Sequence, residues 1–438
     1  MRGDVVISKS PSAVVAPSSE EPVAAAATGD INLSSFDKTF GPLAITALFV
    51  FEHPIQDPVE SIKRGLSRAL VHYYPLAGRL AAGVGAAAGQ VVIKCTGDGV
   101  PLVAASANCA IKDIQELWDD PALQQELAVF YPAVAALQEE EEALWYSEVE
   151  PFVLMQVTVF SCGRFVLGIT WKHCIADGIG MGQFLQAVGE LARGLPSPSV
   201  APDRKGGDTL GLGIPPSYFE LRRILRPSQM TRLAITVQSS LIRSIVKRNS
   251  SGRGRPCTVF EAVAAVLWRC RTRAIIHHQS YCSEDAVAAL GFVANARKSV
   301  GAREGYYGNC GTRRMVTATI AAVANADIMD LVKMVQRGKG RVITQADIDE
   351  LLLLLRLDGY NYLSMTSWRN IGFEAPDFGG GRPARVRTCT TNRPPLPLCV
   401  TCLPSKEEED YKVISMCVTE DHAGAFLQEL ANTHLNYI

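Results

Sequence analysis

Two β-rich runs that lead into a histidine and then into a helical pattern constrain the fold of this chain most. The runs Phe152–Phe160 and Arg164–Trp171 are rich in β-branched and aromatic residues and flank a short Ser-Cys-Gly turn, which is typical of a β-hairpin. The second run reaches His173 almost directly, and apolar residues then recur at helical spacing over Met181–Arg193. The pattern predicts a strand pair, a short loop that carries the histidine, and a helix.

Further strands and helices alternate along the chain. Helical spacing of apolar residues predicts a helix over Pro58–His72, and Thr258 with Glu261 predicts a capping box at the start of a helix that runs to Arg273. Short apolar runs predict strands at Asp4–Lys9, Val91–Lys94 and Pro101–Ala104.

Composition divides the 438 residues into four stretches. Residues 1–30 are rich in Ala, Ser, Pro and Val, which indicates a loosely ordered leader. Residues 195–254 begin with a Pro-, Gly- and Ser-rich segment, so we interpret them as a crossover linker. The stretches 31–194 and 255–438 are each large enough to bury a core, and we expect an N-terminal and a C-terminal domain there.

Charge and hydropathy exclude several partners. The chain has 43 basic and 44 acidic residues, so nothing favours a nucleic-acid partner. The uncharged apolar stretch Phe40–Phe51 has 12 residues, whereas a membrane-spanning helix needs about 20. The N-terminal residues have no secretory pattern. We therefore expect a cytoplasmic protein with no nucleic-acid and no membrane partner.

Cysteine usage indicates free thiols. Twelve cysteines are scattered over a long chain without a secretory signal. The pair Cys399 and Cys402 has redox or zinc-binding spacing, but its flanks are typical of an extended segment and not of a helix start. We interpret both as buried strand residues and expect no metal site.

The segment from His173 through Asp177 to Gly178 is the candidate site of chemistry. Acyl transfer from a thioester to a hydroxyl or amine requires removal of the acceptor's proton, and a side chain that titrates near neutral pH does this best. Because a thioester is already activated, a base, good positioning and oxyanion stabilisation are sufficient. The motif alone leaves a second interpretation open, in which His173 is a half-buried loop residue beside a helix-capping aspartate.

Eight short segments lie in order over nearly the whole chain: Leu33–Asp37, Tyr74–Leu80, His173–Gly178, Thr258–Ala262, Asn295–Arg297, Tyr306–Asn309, Ser367–Trp368 and Asp377–Gly379. Each segment is modest alone, and their joint order is specific. Together they resemble the motifs of the plant BAHD acyltransferases, which are acyl-CoA-dependent enzymes of specialised metabolism.

The resemblance implies a fold class and a set of partners. It implies an α/β fold with two similar chloramphenicol-acetyltransferase-like domains, each with a mixed sheet, joined by a crossover loop. It also implies a monomer that uses acyl-CoA as a co-substrate, binds a small alcohol or amine acceptor, and holds no permanent cofactor.

The same resemblance assigns roles to residues. His173 is the general base, and Asp177 fixes the loop by pairing with Arg297. Arg297 and Gly178 support the site structurally. Asp377 is grouped with the active-site motifs, although its implied role, like that of Gly379, is structural. The residues implied to contact CoA are Arg253, Arg255, Thr258, Ser367 and Trp368.

One departure from the family pattern bears on function. Gly380 replaces a tryptophan whose indole N–H can steady an oxyanion, and loss of one such donor costs about 10²–10³-fold in rate. A catalytically weak or silent relative that acts as a binding or regulatory protein therefore stays as an alternative. For an active enzyme, likeness over Ser367–Phe373 favours aromatic acyl groups such as benzoyl or hydroxycinnamoyl, with acetyl as the other candidate.

Overall fold

Strands and helices alternate along the chain in the computed structural model, which describes residues 5–19, 29–41, 43–84, 90–132, 147–204, 229–250, 255–276, 285–341, 349, 352, 359–389, 394, 396–404 and 409–435. The strands are β1 (Ile7–Lys9), β2 (Ala13–Val15), β3 (Ile31–Asn32), β4 (Ala44–Phe51), β5 (Arg79–Ala82), β6 (Val91–Lys94), β7 (Val100–Ala107), β8 (Val153–Phe160), β9 (Phe165–Lys172), β10 (Thr231–Val237), β11 (Val287–Asn295), β12 (Gly311–Thr319), β13 (Tyr362–Ser367), β14 (Arg385–Thr388), β15 (Leu398–Thr401) and β16 (Tyr411–Val418).

The helices follow the same chain order. They are α1 (Ser35–Phe40), α2 (Pro58–His72), α3 (Pro121–Glu126), α4 (Gly178–Ala192), α5 (Ser239–Ser250), α6 (Val259–Ile276), α7 (Ile320–Asn325), α8 (Ile328–Gly340) and α9 (Glu420–Leu435), with 3₁₀ segments at Tyr74–Ala77, Ile111–Leu117 and Gly359–Asn361. The helix predicted over Pro58–His72 has these bounds in the structure.

Contacts between Cα atoms divide the chain into two compact units. The first contains Met1–Gly213, Ala296–Cys310 and Asn370–Thr391, and the second contains the remaining stretches. The domains predicted from the sequence are two successive stretches of the chain. In the structure, the later segments Ala296–Cys310 and Asn370–Thr391 cluster with the first unit. The predicted domain boundaries stay a prediction.

A mixed sheet forms the centre of the first unit. Its strand order is β1-β7-β8-β9-β4-β14, and β2 also pairs with β7. Strands β7 and β8 run parallel, whereas β8–β9 and β9–β4 are antiparallel. The predicted hairpin is confirmed as β8 and β9, and every residue of β9 is buried, as expected for a strand covered on both faces. Strands β1 and β2 lie in the stretch interpreted as a leader, and both pair with β7. The sequence analysis predicted a strand only at the first of these two positions.

The second unit has its own mixed sheet, in the order β10-β16-β15-β13-β11-β12. Helix α6 is buried along almost its whole length and packs among residues of α5, α8, α9 and the sheet. Cys399 and Cys402 are buried free thiols. Cys399 lies within β15, as interpreted from the sequence, whereas Cys402 directly follows the strand. The two mixed sheets with their helices confirm the α/β class.

Within the described ranges, no helix is long and apolar enough to cross a lipid bilayer.

Helices α2 and α4 approach closely at a glycine. A Cβ atom at Gly65 would lie 2.4 Å from the carbonyl oxygen of Val188 and 2.7 Å from the Cβ of Ala192. Real Cβ atoms do not approach backbone oxygens this closely, so only glycine allows the two helices to pack in this way.

We expect Gly65→Ala to lower the free energy of unfolding by about 1–3 kcal/mol, because the added methyl forces the helices apart. Thermal and urea denaturation measure the change. Gly424→Ala in α9 is the matched control, since a Cβ at Gly424 meets no atom within 4 Å. Equal stability of the two variants would contradict this account of the helix contact.

Candidate active site

The backbone around His173 is fixed at several points. His173 directly follows β9, and its N–H donates to the carbonyl oxygen of Leu43 at 2.6 Å. The indole N–H of Trp171 donates to the carbonyl oxygen of Ala176 at 3.1 Å, which closes the loop behind the histidine. The β-hairpin therefore holds the imidazole on a rigid base rather than on a free loop.

Asn309 determines which imidazole nitrogen carries the proton. Its Nδ2 donates to the carbonyl oxygen of His173 at 2.7 Å and to Oδ1 of Asp37 at 2.9 Å. Both amide hydrogens are thus directed to acceptors, and the amide oxygen lies 3.0 Å from Nδ1 of His173. An amide oxygen only accepts hydrogen bonds, so Nδ1 of His173 must be the donor and Nε2 carries the lone pair.

The surroundings favour the neutral imidazole. Burial lowers the pKa of His173, and the hydrogen bonds of its backbone and of Asn309, with the charges of Asp177 and Asp37, offset part of that effect. The ring of Phe40 stacks on the imidazole with 4.0 Å between centroids. A neutral imidazole whose Nε2 carries the lone pair can accept a proton at neutral pH.

The carboxylate of Asp177 binds groups that hold the local structure. Its two oxygens accept two N–H groups from Arg297 at 2.8 and 2.9 Å, the N–H of Gly180 at 2.9 Å and the N–H of Cys310 at 3.1 Å. The bond to Gly180 caps α4, and Gly178 is the first residue of that helix. Asp177 thus joins the histidine loop, the start of α4 and the segment around Arg297, which is the pairing that the resemblance implies.

Arg297 has further partners in the same segment. It donates to the carbonyl oxygens of Tyr306 and Gly308 at 3.1 and 2.8 Å. Burial lowers the pKa of Arg297, but the carboxylate of Asp177 outweighs it, so the pKa lies above its usual value and the guanidinium stays charged.

Asp377 lies at the opposite end of α4. Its Oδ1 accepts the N–H groups of Gly379 and Gly381 at 2.8 and 2.9 Å, and its carbonyl oxygen accepts a hydrogen bond from Arg193, which follows the last residue of the helix. Gly379 and Gly381 have φ angles of +111° and +98°, a region that favours glycine. Because α4 has 15 residues, this loop is about 22 Å along the helix from Asp177.

Gly380 leaves no room for the family's tryptophan. A Cβ atom there would lie 2.8 Å from the carbonyl oxygen of His53 and 2.9 Å from Cγ2 of Ile55. The position is closed by backbone, and it belongs to the loop of Asp377 rather than to that of His173. An indole at this position would therefore have to displace the chain around His53.

The residues that the resemblance assigns to CoA belong to the second unit, except Arg253, which lies outside the described residues. The predicted capping box is confirmed, since Glu261 accepts the N–H of Thr258 at 2.8 Å and donates its own N–H to the hydroxyl of Thr258 at 3.3 Å. Arg255 pairs with the buried carboxylate of Glu261 at 2.7 Å, while its side chain is half exposed.

Ser367 and Trp368 lie at the end of β13. The hydroxyl of Ser367 accepts the N–H of Arg369 at 3.3 Å, and the N–H of Trp368 donates to the carbonyl oxygen of Thr401 at 2.9 Å. These bonds hold the end of the strand. The assignment of Ser367 and Trp368 to CoA binding stays a prediction.

Sequence reasoning missed two groups that touch the imidazole. Asn309 lies in a motif quoted for the resemblance, so its position in the Tyr306–Asn309 segment was the available signal. Phe40 follows the Leu33–Asp37 motif by three residues and carries no signal of its own.

Two solved structures have the same architecture. The crystal structure of Vinorine Synthase matches with a TM-score of 0.75, 20% identity and coverage of 98% of each chain. That of F. graminearum TRI101 complexed with Coenzyme A and T-2 mycotoxin matches with a TM-score of 0.68, 15% identity and coverage of 91% of this chain and 96% of the other. The fold is therefore that of the chloramphenicol-acetyltransferase-like acyltransferases, as the sequence analysis predicted.

Sequence relatives define the family. The profile of the Transferase family matches residues 6–432. "Acyl transferase 15" of Oryza sativa subsp. japonica is 43% identical, with 98% of each chain covered. "Myricetin 3-O-glucosyl 1,2-rhamnoside 6'-O-caffeoyltransferase AT2" of Crocosmia x crocosmiiflora is 30% identical, with 97% of this chain and 98% of the relative covered. The chain belongs to this Transferase family, the BAHD acyltransferases, and is an acyltransferase.

We expect Arg297→Ala to lower the free energy of unfolding by about 3–5 kcal/mol, because it leaves the largely buried carboxylate of Asp177 without its partner. Urea denaturation measures the loss. Lys333→Ala is the matched control, since Lys333 pairs with Asp330 in an exposed helical pair that contributes about 0–1 kcal/mol. If Arg297→Ala lowered activity at unchanged stability, Arg297 would have a direct role in the reaction.

We expect Gly380→Trp to lower the melting temperature and not to raise kcat, because the indole must displace the His53 backbone. Differential scanning calorimetry and steady-state kinetics measure both quantities. Gly29→Ala is the control, since a Cβ at Gly29 meets no atom within 4 Å. A rise in kcat at constant melting temperature would show instead that the reaction lacks an indole donor.

Proposed function

We propose that this protein transfers an acyl group from acyl-CoA to a hydroxyl or amine of a small specialised metabolite, with His173 as the general base. One observation carries the proposal. Asn309 occupies Nδ1 of His173 through its amide oxygen, so Nε2 is the nitrogen that can accept the acceptor's proton.

The proposed reaction needs no nucleophile from the protein. As the acceptor oxygen or nitrogen attacks the thioester carbonyl, its proton moves to Nε2 of His173 and a tetrahedral intermediate forms. Collapse of the intermediate breaks the carbon–sulfur bond, and the imidazolium returns the proton to the CoA sulfur. The products are free CoA and an ester or amide, and His173 is neutral again.

The Asp377–Gly381 loop takes no part in this scheme. It lies at the far end of α4 from the histidine loop, and its hydrogen bonds are internal or to Arg193. The replacement of tryptophan by Gly380 is therefore compatible with activity. The intact set of Asp177, Arg297 and Asn309 around His173 favours a catalyst over a silent binding relative.

Aromatic acyl groups are the preferred donors in this proposal. A relative with 30% identity is described as a caffeoyltransferase, and a structural neighbour of the same fold holds coenzyme A. We propose an aromatic acyl-CoA such as a hydroxycinnamoyl- or benzoyl-CoA, with acetyl-CoA as the alternative. Mass spectrometry of products from each acyl-CoA with pooled plant alcohols and amines separates these donors and distinguishes esters from amides.

We expect His173→Ala to lower kcat/KM by about 10²–10⁴-fold while the protein keeps its fold, because the proton acceptor is lost. Release of CoA thiol, followed with a thiol reagent, measures the rate, and circular dichroism checks the fold. His53→Ala is the matched control, because His53 is an exposed histidine. A His173 variant that retains more than about a third of kcat/KM would rule out the base role.

A further inference from the structure

A buried ion pair lies behind the amide that contacts His173. Asp37 is fully buried, Arg204 is 3% exposed, and their side chains meet at 2.8 Å. The two oxygens of Asp37 also accept the N–H and the hydroxyl of Ser34 at 2.9 and 2.8 Å, and the backbone and side-chain N–H groups of Asn309 at 3.2 and 2.9 Å. Five donor groups, from Arg204, Ser34 and Asn309, therefore converge on this one carboxylate.

The two charged residues come from distant parts of the sequence. Asp37 lies in α1, where it forms a capping box with Ser34, and the same short helix ends at Phe40, which stacks on the imidazole. Arg204 lies in the stretch that the sequence analysis interpreted as a linker, and its guanidinium also donates to the hydroxyl of Tyr306 at 3.2 Å. The sequence thus gives no sign that they act on one site.

The charge of Asp37 fixes the orientation of Asn309. The amide nitrogen of Asn309 faces two acceptors, the Asp37 carboxylate and the carbonyl oxygen of His173. A flipped amide would turn its oxygen toward both acceptors and its nitrogen toward Nδ1 of His173, which loses two hydrogen bonds and adds repulsion. The orientation that remains requires the proton of the neutral imidazole to be on Nδ1.

We propose that Asp37, paired with Arg204, is a positioning residue for the general base, and that it sets the tautomer of His173 through Asn309. The catalytic consequence rests on the function proposed above. The tautomer itself can be measured in the resting protein, so the two proposals can fail separately.

The charge of Asp37 also affects the pKa of His173. Among the described residues, the charged groups around the imidazole are Asp177, paired with Arg297, and Asp37, paired with Arg204. Lys172, which precedes His173, is paired with Glu150. The charge of Asp37 raises the pKa of His173, against the larger lowering by burial. Removing that charge therefore lowers the pKa, and the acid limb of kcat/KM moves to lower pH.

The main test removes both charges together. Asp37→Asn alone leaves Arg204 buried without a partner, whereas the double variant Asp37→Asn, Arg204→Met is neutral and of similar volume. We expect ¹⁵N NMR of the imidazole, assigned by the loss of signals in His173→Gln, to show Nδ1–H dominant in the wild type. In the double variant the Nε2–H form should gain at least about tenfold in relative population, and kcat/KM should fall about 10–100-fold as its acid limb moves to lower pH.

A matched control removes another ion pair. Arg273→Met, Glu429→Gln neutralises a partly buried pair in the second unit, and it should leave the tautomer and the pH profile unchanged. Asn309→Ala supplies a second test that removes no charge, and it must also abolish the preference for Nδ1–H. It covers the case in which the double variant does not fold.

The outcomes are distinct. A folded double variant or an Asn309→Ala protein that keeps Nδ1–H dominant would overturn the proposal. So would a loss of kcat/KM with the tautomer and the acid limb both unchanged, because that result means a purely structural role for the pair. If the wild type released no CoA from any acyl donor but showed the tautomer shift, the positioning of His173 would stand and the proposed reaction would fall.

Discussion

The ion pair between Asp177 and Arg297 is the interaction on which the arrangement of the site depends. It joins three pieces of chain: the loop that carries His173, the first turn of α4, and the segment that follows β11. Without it, His173 would still lie at the end of its strand, but the amide of Asn309 would no longer be held in one position against the imidazole. A pair of this kind supplies little net stability compared with apolar packing, and its value lies in selecting one geometry.

Two ion pairs lie near the imidazole, where burial of an unpaired charge would cost free energy. Asp37 with Arg204 and Asp177 with Arg297 are each buried or nearly so, and each carboxylate is surrounded by N–H donors. A carboxylate in direct contact with Nδ1 would raise the pKa of the histidine strongly. Here an uncharged amide intervenes, which keeps the imidazole neutral and still orients it.

Local patterns in the sequence were enough for much of the fold. The hairpin of β8 and β9, helix α2 and the capping box before α6 depend on neighbours in the chain, so periodicity and capping residues predict them. His173 and its loop followed from a motif at a strand-to-helix junction. Arg204 and Phe40 could not be predicted in this way, because their contacts join residues more than 100 positions apart. The same holds for Gly380, because the backbone that closes its position is that of the distant His53.

The segment from Ala296 to Cys310 has an evolutionary consequence. It comes from the later half of the chain but clusters with the first unit, to which it brings both Arg297 and Asn309. The base and its supports are therefore encoded on opposite sides of the middle of the gene. Recombination that exchanged the two halves between relatives would pair a histidine loop from one parent with an arginine and an asparagine from the other, so the halves have to change together rather than as independent modules.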